Sequence, residues 1–310
     1  MTHVALVGTG AIGASWAAAF LARGFTVSAT DPAPGAEAAA REAVRRHWPA
    51  LEMLGVAQGA DPGALIWADD LAGCIAGADL VLENGPERID FKRRIFAEMD
   101  RLTGPDTILA SSSSTLMPSE YQSDCTNHPG RVILAHPFYP PHLVPLVEVV
   151  GGAASDPASL DRAMTILAEA GKKPIRLKRE IRGHIANRLQ AALWQEAYHL
   201  VDQGVASVAD VDTAIAHGPG LRWALLGPFL TQHLSGGAAG LGHVLAHLGP
   251  PTEAMWRDLG SVHLTPELIG KLVAGVADEL GDRPLDEVVA ARDAVLQALV
   301  RLKSAQALLP

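Results

Sequence analysis

Several features are scarce in this chain of 310 residues, and each scarcity argues against a class of protein. The two cysteines, Cys74 and Cys125, are too few for a disulfide framework or a cysteine-rich zinc site. The formal net charge is −9 and no lysine–arginine cluster occurs, whereas a nucleic-acid-binding surface is basic. No apolar run reaches the roughly 18–20 residues that cross a bilayer, and the first residues lack the pattern of a signal peptide. We therefore expect a cytoplasmic protein that binds neither nucleic acid nor membrane nor metal.

The first half of the chain alternates short apolar runs with helical patterns. The continuous apolar run at residues 4–7 is typical of a strand that is buried on both faces. Further strands are predicted at residues 25–30, 80–82, 107–110, 132–135 and 146–150. Short strands spaced by helices indicate an α/β fold with a Rossmann-type, doubly wound and mainly parallel sheet.

The last third of the chain has helical periodicity without strand patterns. Ser207 and Asp210 are candidates for opening one of its helices. Helices are predicted over residues 184–203, 208–217, 264–280 and 285–302, with loops at 218–220 and 235–237. We therefore predict a dinucleotide-binding domain at 1–183 and an all-helical substrate and dimerisation domain at 184–310.

A glycine-rich turn follows the first predicted strand. Gly8, Gly10 and Gly13 have the spacing G-x-G-x-x-G, and Ala11 and Ile12 complete the turn. The first glycine permits a sharp turn, the second lets a pyrophosphate approach the backbone, and the third lets the following helix pack closely on the strand. The positive end of that helix favours the bound anion. The pattern predicts a dinucleotide site.

An acidic residue, Asp31, ends the second predicted strand about 20 residues after this turn. A carboxylate at this position accepts hydrogen bonds from a ribose diol and repels a 2′-phosphate. The next residues, 32–34, contain no arginine that could hold such a phosphate. The predicted cofactor is therefore NAD.

Two residues suggest acid–base chemistry. His136 directly follows a predicted strand, and Glu148 lies among apolar residues of another. A buried carboxylate is costly unless it is paired, and a histidine held by a carboxylate is a good general base. From spacing alone the pair could equally be a structural hydrogen bond.

Several long motifs, in the same order along the whole chain, resemble the 3-hydroxyacyl-CoA dehydrogenase family. Within it the chain is most similar to the small-acid branch, which includes L-gulonate 3-dehydrogenase, lambda-crystallin and carnitine dehydrogenase. The motifs that carry the resemblance lie at residues 8–13, 83–87, 110–114, 136–150, 183–189 and 220–223.

The resemblance implies catalytic roles for four residues. His136 matches the catalytic base and Glu148 its carboxylate partner. Ser114 matches a serine near the nicotinamide and the substrate oxygen, and Asn187 matches an asparagine that polarises that oxygen. Without the resemblance, Ser114 would be read as one polar loop residue among four serines and Asn187 as a helix cap.

The resemblance also implies cofactor contacts for Glu87, Lys92, Ser114 and Tyr139. Lys92 alone would be read as a solvated helix residue. Tyr139 departs from the family, which usually has asparagine there, and its larger side chain predicts a reshaped pocket or a weaker activity. His184 stands where phenylalanine is usual, and we interpret it as a packing residue.

Arg222, which precedes Trp223, is the best indication of the substrate. The small-acid branch carries this arginine, and a guanidinium can hold a carboxylate through two parallel hydrogen bonds. A salt bridge at a domain or subunit interface is the alternative. The leading hypothesis is an NAD-dependent dehydrogenase of a small L-3-hydroxy acid, acting as a homodimer. An L-3-hydroxyacyl-CoA dehydrogenase and a non-enzymatic NAD-binding or structural protein stay open.

Asp31 generates the first testable prediction. Because its carboxylate would repel a 2′-phosphate, steady-state kinetics should give a higher kcat/KM with NAD than with NADP. Asp31→Ser should narrow that preference by weakening the reaction with NAD more than the reaction with NADP. Equal or better efficiency of the wild type with NADP would contradict the assignment.

Overall fold

The computed structural model describes residues 1–309, and the chain divides into two compact units. The first unit spans Met1–Ala186 and the second begins at Asn187.

The first unit is built on one sheet of eight strands in the order β3-β2-β1-β4-β5-β6-β7-β8. Neighbouring strands are parallel except β6 and β7, which are antiparallel. The strands are His3–Val7 (β1), Thr26–Thr30 (β2), Ile66–Trp67 (β3), Leu80–Glu83 (β4), Ile108–Ser111 (β5), Val132–Pro137 (β6), Leu146–Gly151 (β7) and Lys173–Arg176 (β8). The predicted Rossmann-type, mainly parallel sheet is confirmed.

Helices cover both faces of this sheet, as the apolar strands predict. They are Ala11–Ala22 (α1), Ala36–Leu54 (α2), Leu71–Ile75 (α3), Ile89–Leu102 (α4), Pro118–Gln122 (α5) and Pro157–Glu169 (α6), with a 3₁₀ turn at Pro129–Arg131. In β1, Val4 and Leu6 pack on one face with α1, α2 and α6. Ala5 and Val7 pack on the other face with α3, α4 and α5. Alternation along one strand therefore serves two cores, which explains why the sequence of β1 is continuously apolar.

A buried ion pair fixes the start of β6. Arg131, at the end of the 3₁₀ turn, donates to the Asp100 carboxylate of α4 at 2.9 Å, and both side chains are buried. The same carboxylate accepts backbone N–H groups of Asn127 and His128. Because buried charges need this density of partners, the pair holds the strand in one position relative to the helix.

Over residues 187–309 of the second unit, helices are the only regular elements. They are Ala186–Asp202 (α7, whose first residue ends the first unit), Val208–His217 (α8), Pro219–Trp223 (α9), Pro228–Ser235 (α10), Gly240–Asp258 (α11), Pro266–Leu280 (α12) and Leu285–Ser304 (α13), with a 3₁₀ turn at Gly237–Ala239. Across residues 1–309, no helix is long and apolar enough to span a bilayer.

In the second unit, the cap predicted for α8 is present, whereas the loop predicted at residues 218–220 is not. Ser207 caps α8 as predicted, because its hydroxyl accepts from the Asp210 N–H while the Asp210 carboxylate accepts from the Ser207 N–H. The loop predicted at residues 218–220 is wrong, because α9 begins at Pro219. Proline is favoured at the first helical position, where its missing N–H costs nothing.

Candidate active site

The chain reversal between β6 and β7 brings the predicted acid–base pair together. The antiparallel register sets His136 directly opposite Glu148. The Nδ1 atom of His136 lies 3.1 Å from Oε2 of Glu148, and both side chains are buried. Because an ionised carboxylate only accepts, His136 donates its Nδ1–H and leaves Nε2 with a free lone pair. This is the tautomer that a general base requires.

Glu148 is held by a second set of donors. Its Oε1 atom accepts the backbone N–H groups of Ile185 and Ala186, at 2.8 and 3.0 Å, where the chain enters α7. Burial by itself raises the pKa of Glu148, but the hydrogen bonds from His136, Ala186 and Ile185 outweigh it, so the pKa lies below its usual value. The carboxylate therefore stays charged and keeps the orientation of His136.

The turn at residues 112–115, which directly follows β5 and is called the serine turn below, supplies the third member of the site. The Ser114 hydroxyl lies 3.2 Å from Nε2 of His136. In the absence of another partner the hydroxyl donates to this nitrogen, which completes a chain from Ser114 through His136 to Glu148. The three residues come from three different segments of the first unit, so the structure assembles what the sequence pattern only suggested.

Glu87 fixes the shape of that turn. Its Oε1 atom accepts the Ser113 hydroxyl at 2.6 Å and both the N–H and the hydroxyl of Thr115, at 2.8 and 2.7 Å. Burial raises the pKa of Glu87, but these hydrogen bonds and the positive charge of Lys92 lower it below the usual value. Glu87 is thus an ionised anchor for the residues on either side of Ser114.

Lys92 lies behind the turn and is almost completely buried. Its ammonium group donates to Glu83 Oε2 at 2.7 Å and to the Ser111 hydroxyl at 3.2 Å, and it lies 3.7 Å from the Glu87 carboxylate. The structure thus gives Lys92 a supporting position beneath the serine turn, not the solvated one that its helix position alone would suggest. Its expected contact with the cofactor stays a prediction.

The glycine turn has the shape that a dinucleotide needs. Gly8 has φ +93°, and a Cβ on Gly13 would lie 2.0 Å from the Gly8 carbonyl oxygen, so neither position accepts a side chain. A Cβ on Gly10 would meet nothing within 4 Å, so the backbone there is open to a ligand. Ala11 and Ile12 form the first turn of α1, whose N–H groups lack helical partners and face this opening.

Asp31 is tied to the same turn. Its Oδ2 atom accepts the N–H of Thr9 at 2.7 Å and its Oδ1 atom accepts the N–H of Ala33 at 2.9 Å. A carboxylate has further lone pairs for a ribose diol. The residues present therefore fit the adenosine and pyrophosphate parts of NAD.

The remaining predicted residues differ in what surrounds them. Tyr139 is 60% exposed, and its neighbour Phe138 packs edge-on to His136 with ring centroids 5.4 Å apart. Asn187 directly follows Ala186 and is the second residue of α7, and Arg222 is an exposed residue of α9. The structure brings Ser114, His136 and Glu148 together, while the roles expected for Asn187, Arg222 and Tyr139 stay predictions.

Two residues of the site, Asn84 and His184, were missed by sequence reasoning. Asn84 donates to the Leu82 carbonyl and accepts from Ser112, so it links β4 to the serine turn. Its place directly after a buried strand was the available signal. His184 was interpreted as packing, but its ring centroid lies 5.0 Å from that of His136.

Family comparisons cover most of the chain. The NAD binding domain of 3-hydroxyacyl-CoA dehydrogenase matches residues 3–181, and the C-terminal domain of 3-hydroxyacyl-CoA dehydrogenase matches residues 183–266. The expected cofactor, NAD, is confirmed by the first of these matches, which contains the glycine turn and Asp31.

Individual relatives agree with the family match. The L-carnitine dehydrogenase of Streptomyces griseus subsp. griseus is 46% identical over 304 residues, which are 97% of this chain and 90% of that protein. The L-carnitine dehydrogenase of Bacillus cereus is 44% identical over 299 residues, which are 96% of this chain and 91% of that protein. The resemblance to the small-acid branch is thereby confirmed.

A solved structure shares the fold over its full length. The crystal structure of 5-formyl-3-hydroxy-2-methylpyridine 4-carboxylic acid 5-dehydrogenase, an NAD⁺-dependent dismutase, has a TM-score of 0.85 and 27% identity. The match covers 99% of this chain and 100% of that one.

The buried Lys92–Glu83 pair yields a stability prediction. Lys92→Met should lower the free energy of unfolding by about 3–5 kcal/mol in urea, because it leaves the Glu83 carboxylate buried without its cation. Arg88→Met is the matched control, because Arg88 pairs with Asp90 near the start of the same helix but in solvent, and it should change stability little. A second change, Glu83→Gln in Lys92→Met, should recover part of the loss. Equal stability of Lys92→Met and wild type would contradict the expected strength of the pair.

Proposed function

The chain belongs to the 3-hydroxyacyl-CoA dehydrogenase family, and on that premise we propose that it oxidises the 3-hydroxyl group of a small L-3-hydroxy acid, with L-carnitine as the first candidate. NAD, when bound, accepts the hydride from the carbon that bears the hydroxyl. The observation that carries the proposal is the connected chain of Ser114, His136 and Glu148.

His136 performs the proton transfer in this proposal. Its Nε2 lone pair takes the proton of the substrate hydroxyl in the place where Ser114 now lies at 3.2 Å. The imidazolium that forms is stabilised by the Glu148 carboxylate at 3.1 Å, whose second oxygen is satisfied by backbone N–H groups. A base oriented and charge-compensated in this way contributes typically 10²–10⁴-fold to the rate.

Ser114 and Asn187 hold the reacting oxygen in the same proposal. The Ser114 hydroxyl can donate to that oxygen once the substrate displaces it from His136. Asn187 supplies a side-chain amide at the start of α7, next to the Ala186 N–H that binds Glu148. Two donors directed at an oxygen that develops carbonyl character would favour the oxidised product.

The substrate assignment uses both ends of carnitine. The L-carnitine dehydrogenases with 46% and 44% identity support a free acid rather than an acyl-CoA. Arg222, exposed on α9, would bind the carboxylate through its two parallel donors. A quaternary ammonium is recognised by aromatic faces, and Tyr139 presents a largely exposed ring next to the catalytic strand.

We further propose that the second unit forms a homodimer. Among residues 187–309, Val201 and Leu268 are the only large apolar side chains that are buried. Phe229, Trp256 and Val295, for instance, are 74%, 65% and 69% exposed. A set of helices with so small a core of its own needs an additional apolar partner, and a second copy is the commonest one in soluble oligomers.

The proton-transfer proposal predicts unequal losses at the two members of the pair. His136→Ala should lower kcat by roughly 10²–10⁴-fold, the usual contribution of a general base, and should leave the Kd for NADH nearly unchanged. Glu148→Gln should cost less, because the amide still accepts from His136 but carries no charge. Near-normal turnover of His136→Ala would remove His136 from the mechanism.

The role proposed for Arg222 predicts a difference in kcat/KM between a free acid and its amide. Loss of a charged hydrogen bond is worth about 1.5–3 kcal/mol, so Arg222→Met should lower kcat/KM for the free acid roughly 10- to 150-fold. Arg222→Lys should show a smaller loss of kcat/KM than Arg222→Met, because lysine keeps the charge but lacks the two parallel donors.

The uncharged amide of the same substrate is the matched control. It should be a poor substrate of the wild type and should lose little more in Arg222→Met. Equal losses of kcat/KM on the acid and the amide, with a lower Tm, would instead assign Arg222 a structural role.

NADH formation with L-carnitine, L-gulonate, 3-hydroxybutyrate and 3-hydroxybutyryl-CoA tests the substrate class directly. Preference for the CoA ester would overturn it, and no turnover with any of the four would favour a binding or structural protein.

The dimer proposal predicts the mass in solution. Light scattering at micromolar concentration should give twice the 32.5 kDa of one chain. A charged residue on an exposed apolar helix face, as in Val295→Glu, should shift the mass towards the monomer or cause aggregation. A monomer mass for the wild type would refute the proposal.

A further inference from the structure

A second imidazole lies against the catalytic one. The ring of His184 is completely buried, and its centroid lies 5.0 Å from that of His136, with the ring planes inclined by 44°. Phe138 contacts His136 edge-on as well. The catalytic ring is therefore enclosed by two aromatic neighbours, of which only His184 is polar.

The backbone of His184 has an unusual conformation. It has φ +52° and follows Gly183 at φ +75°, and His184 is the only non-glycine residue among residues 1–309 with a positive φ. Such a conformation is disfavoured for a residue with a Cβ, and residues of this kind concentrate at functional sites. The two left-handed residues come directly before Ile185 and Ala186, whose N–H groups donate to Glu148.

The side chain of His184 is bonded on one side only. Its Nε2 atom lies 3.3 Å from the carbonyl oxygen of Ser113, and since a carbonyl only accepts, Nε2 carries the hydrogen. Its Nδ1 atom is buried and has no hydrogen-bond partner among the described residues. A phenylalanine would fill the same space without an unpaired nitrogen, so packing alone does not explain a histidine here.

Burial of His184 favours a neutral ring. Burial, followed by the neighbouring His136, lowers the pKa of His184. The Ser113 carbonyl and the carboxylates of Glu148 and Glu87 act in the opposite direction and do not compensate. The uncharged form of the His184 ring is therefore favoured.

We infer that His184 is a positioning residue for the proton transfer: its Nε2–H donates to the Ser113 carbonyl and so holds the hydroxyl of Ser114 in place, while its ring packs against His136. The inference rests on the proposed function, because it assigns His184 a part in setting the distance between Ser114 and the base. His184 itself neither contacts substrate nor gains or loses a proton during the reaction.

Two substitutions separate the donor from the ring. His184→Phe keeps the aromatic volume and loses the hydrogen bond to Ser113. It should lower kcat about 10-fold, less than the roughly 10²-fold that a 1 Å error in a catalytic position can cost, with little change in the Kd for NADH. His184→Gln, whose amide nitrogen can replace Nε2, should retain a kcat within about 3-fold of the wild type. Full kcat in His184→Phe, or equal losses in both variants, would overturn the inference.

A double-mutant cycle tests whether His184 acts through Ser114. Non-additivity is expected when two residues act as a unit. In a Ser114→Ala background, His184→Phe should therefore cause no further loss of kcat. Losses that multiply would show that His184 acts independently of the serine and would reject the inference. A general loss of stability would lower Tm in both backgrounds without producing this pattern.

The state of the ring can be measured without a substrate. Nitrogen-15 NMR of the histidine side chains, assigned with His184→Gln, should show His184 as the neutral Nε2–H tautomer at pH 7, with a pKa below the usual histidine value. Titration of this ring near the usual histidine pKa, or the Nδ1–H tautomer, would refute the inference. If the tautomer is confirmed but none of the candidate substrates is turned over, the proposed function has failed while the geometry of His184 stands.

Discussion

The site depends on one buried carboxylate. Glu148 lies in the middle of a strand, with no exposure to solvent, and a charge in this place is unfavourable unless every oxygen has donors. Oε2 is satisfied by His136, and Oε1 by two backbone N–H groups at the entry to α7. These three donors belong to β6 and to the segment that ends the first unit, so satisfying Glu148 fixes both relative to β7.

The arrangement of the sheet determines which residues can reach that carboxylate. The glycine turn after β1, Asn84 after β4 and the serine turn after β5 all lie at the carboxyl ends of parallel strands, where open α/β sheets bind their ligands. β7 runs antiparallel to β6, and this pairing sets His136 on β6 directly opposite Glu148 on β7. The single antiparallel pair thus places His136 and Glu148 at the edge where the parallel strands provide the dinucleotide site.

Support for the serine turn comes from two sides. On one side, Glu87 accepts the Ser113 hydroxyl, and the nearby Lys92 pairs with Glu83. On the other side, the Ser113 carbonyl accepts a hydrogen bond from the His184 ring. Networks of this kind are rigid when every group is satisfied and costly when one is removed. The position of Ser114 relative to His136 is therefore determined by residues that never need to contact a substrate.

The sequence by itself determined the fold class, the dinucleotide turn and NAD as the cofactor. Apolar strand runs and the spacing of Gly8, Gly10, Gly13 and Asp31 are local patterns, and their physical meaning depends on a single strand–turn–helix–strand unit. It also identified His136, Glu148 and Ser114 through the family resemblance.

The sequence did not identify Lys92 as a buried residue. A lysine on an amphipathic helix is exposed in most proteins, and only the approach of Glu83 makes burial possible here. It did not separate His184 from a packing residue or Pro219 from a loop, since the ring's partner lies 71 positions away in the chain and the local proline–glycine pattern suits either a turn or a helix start. Those properties arise from which distant groups share a buried space, and only the tertiary structure decides that.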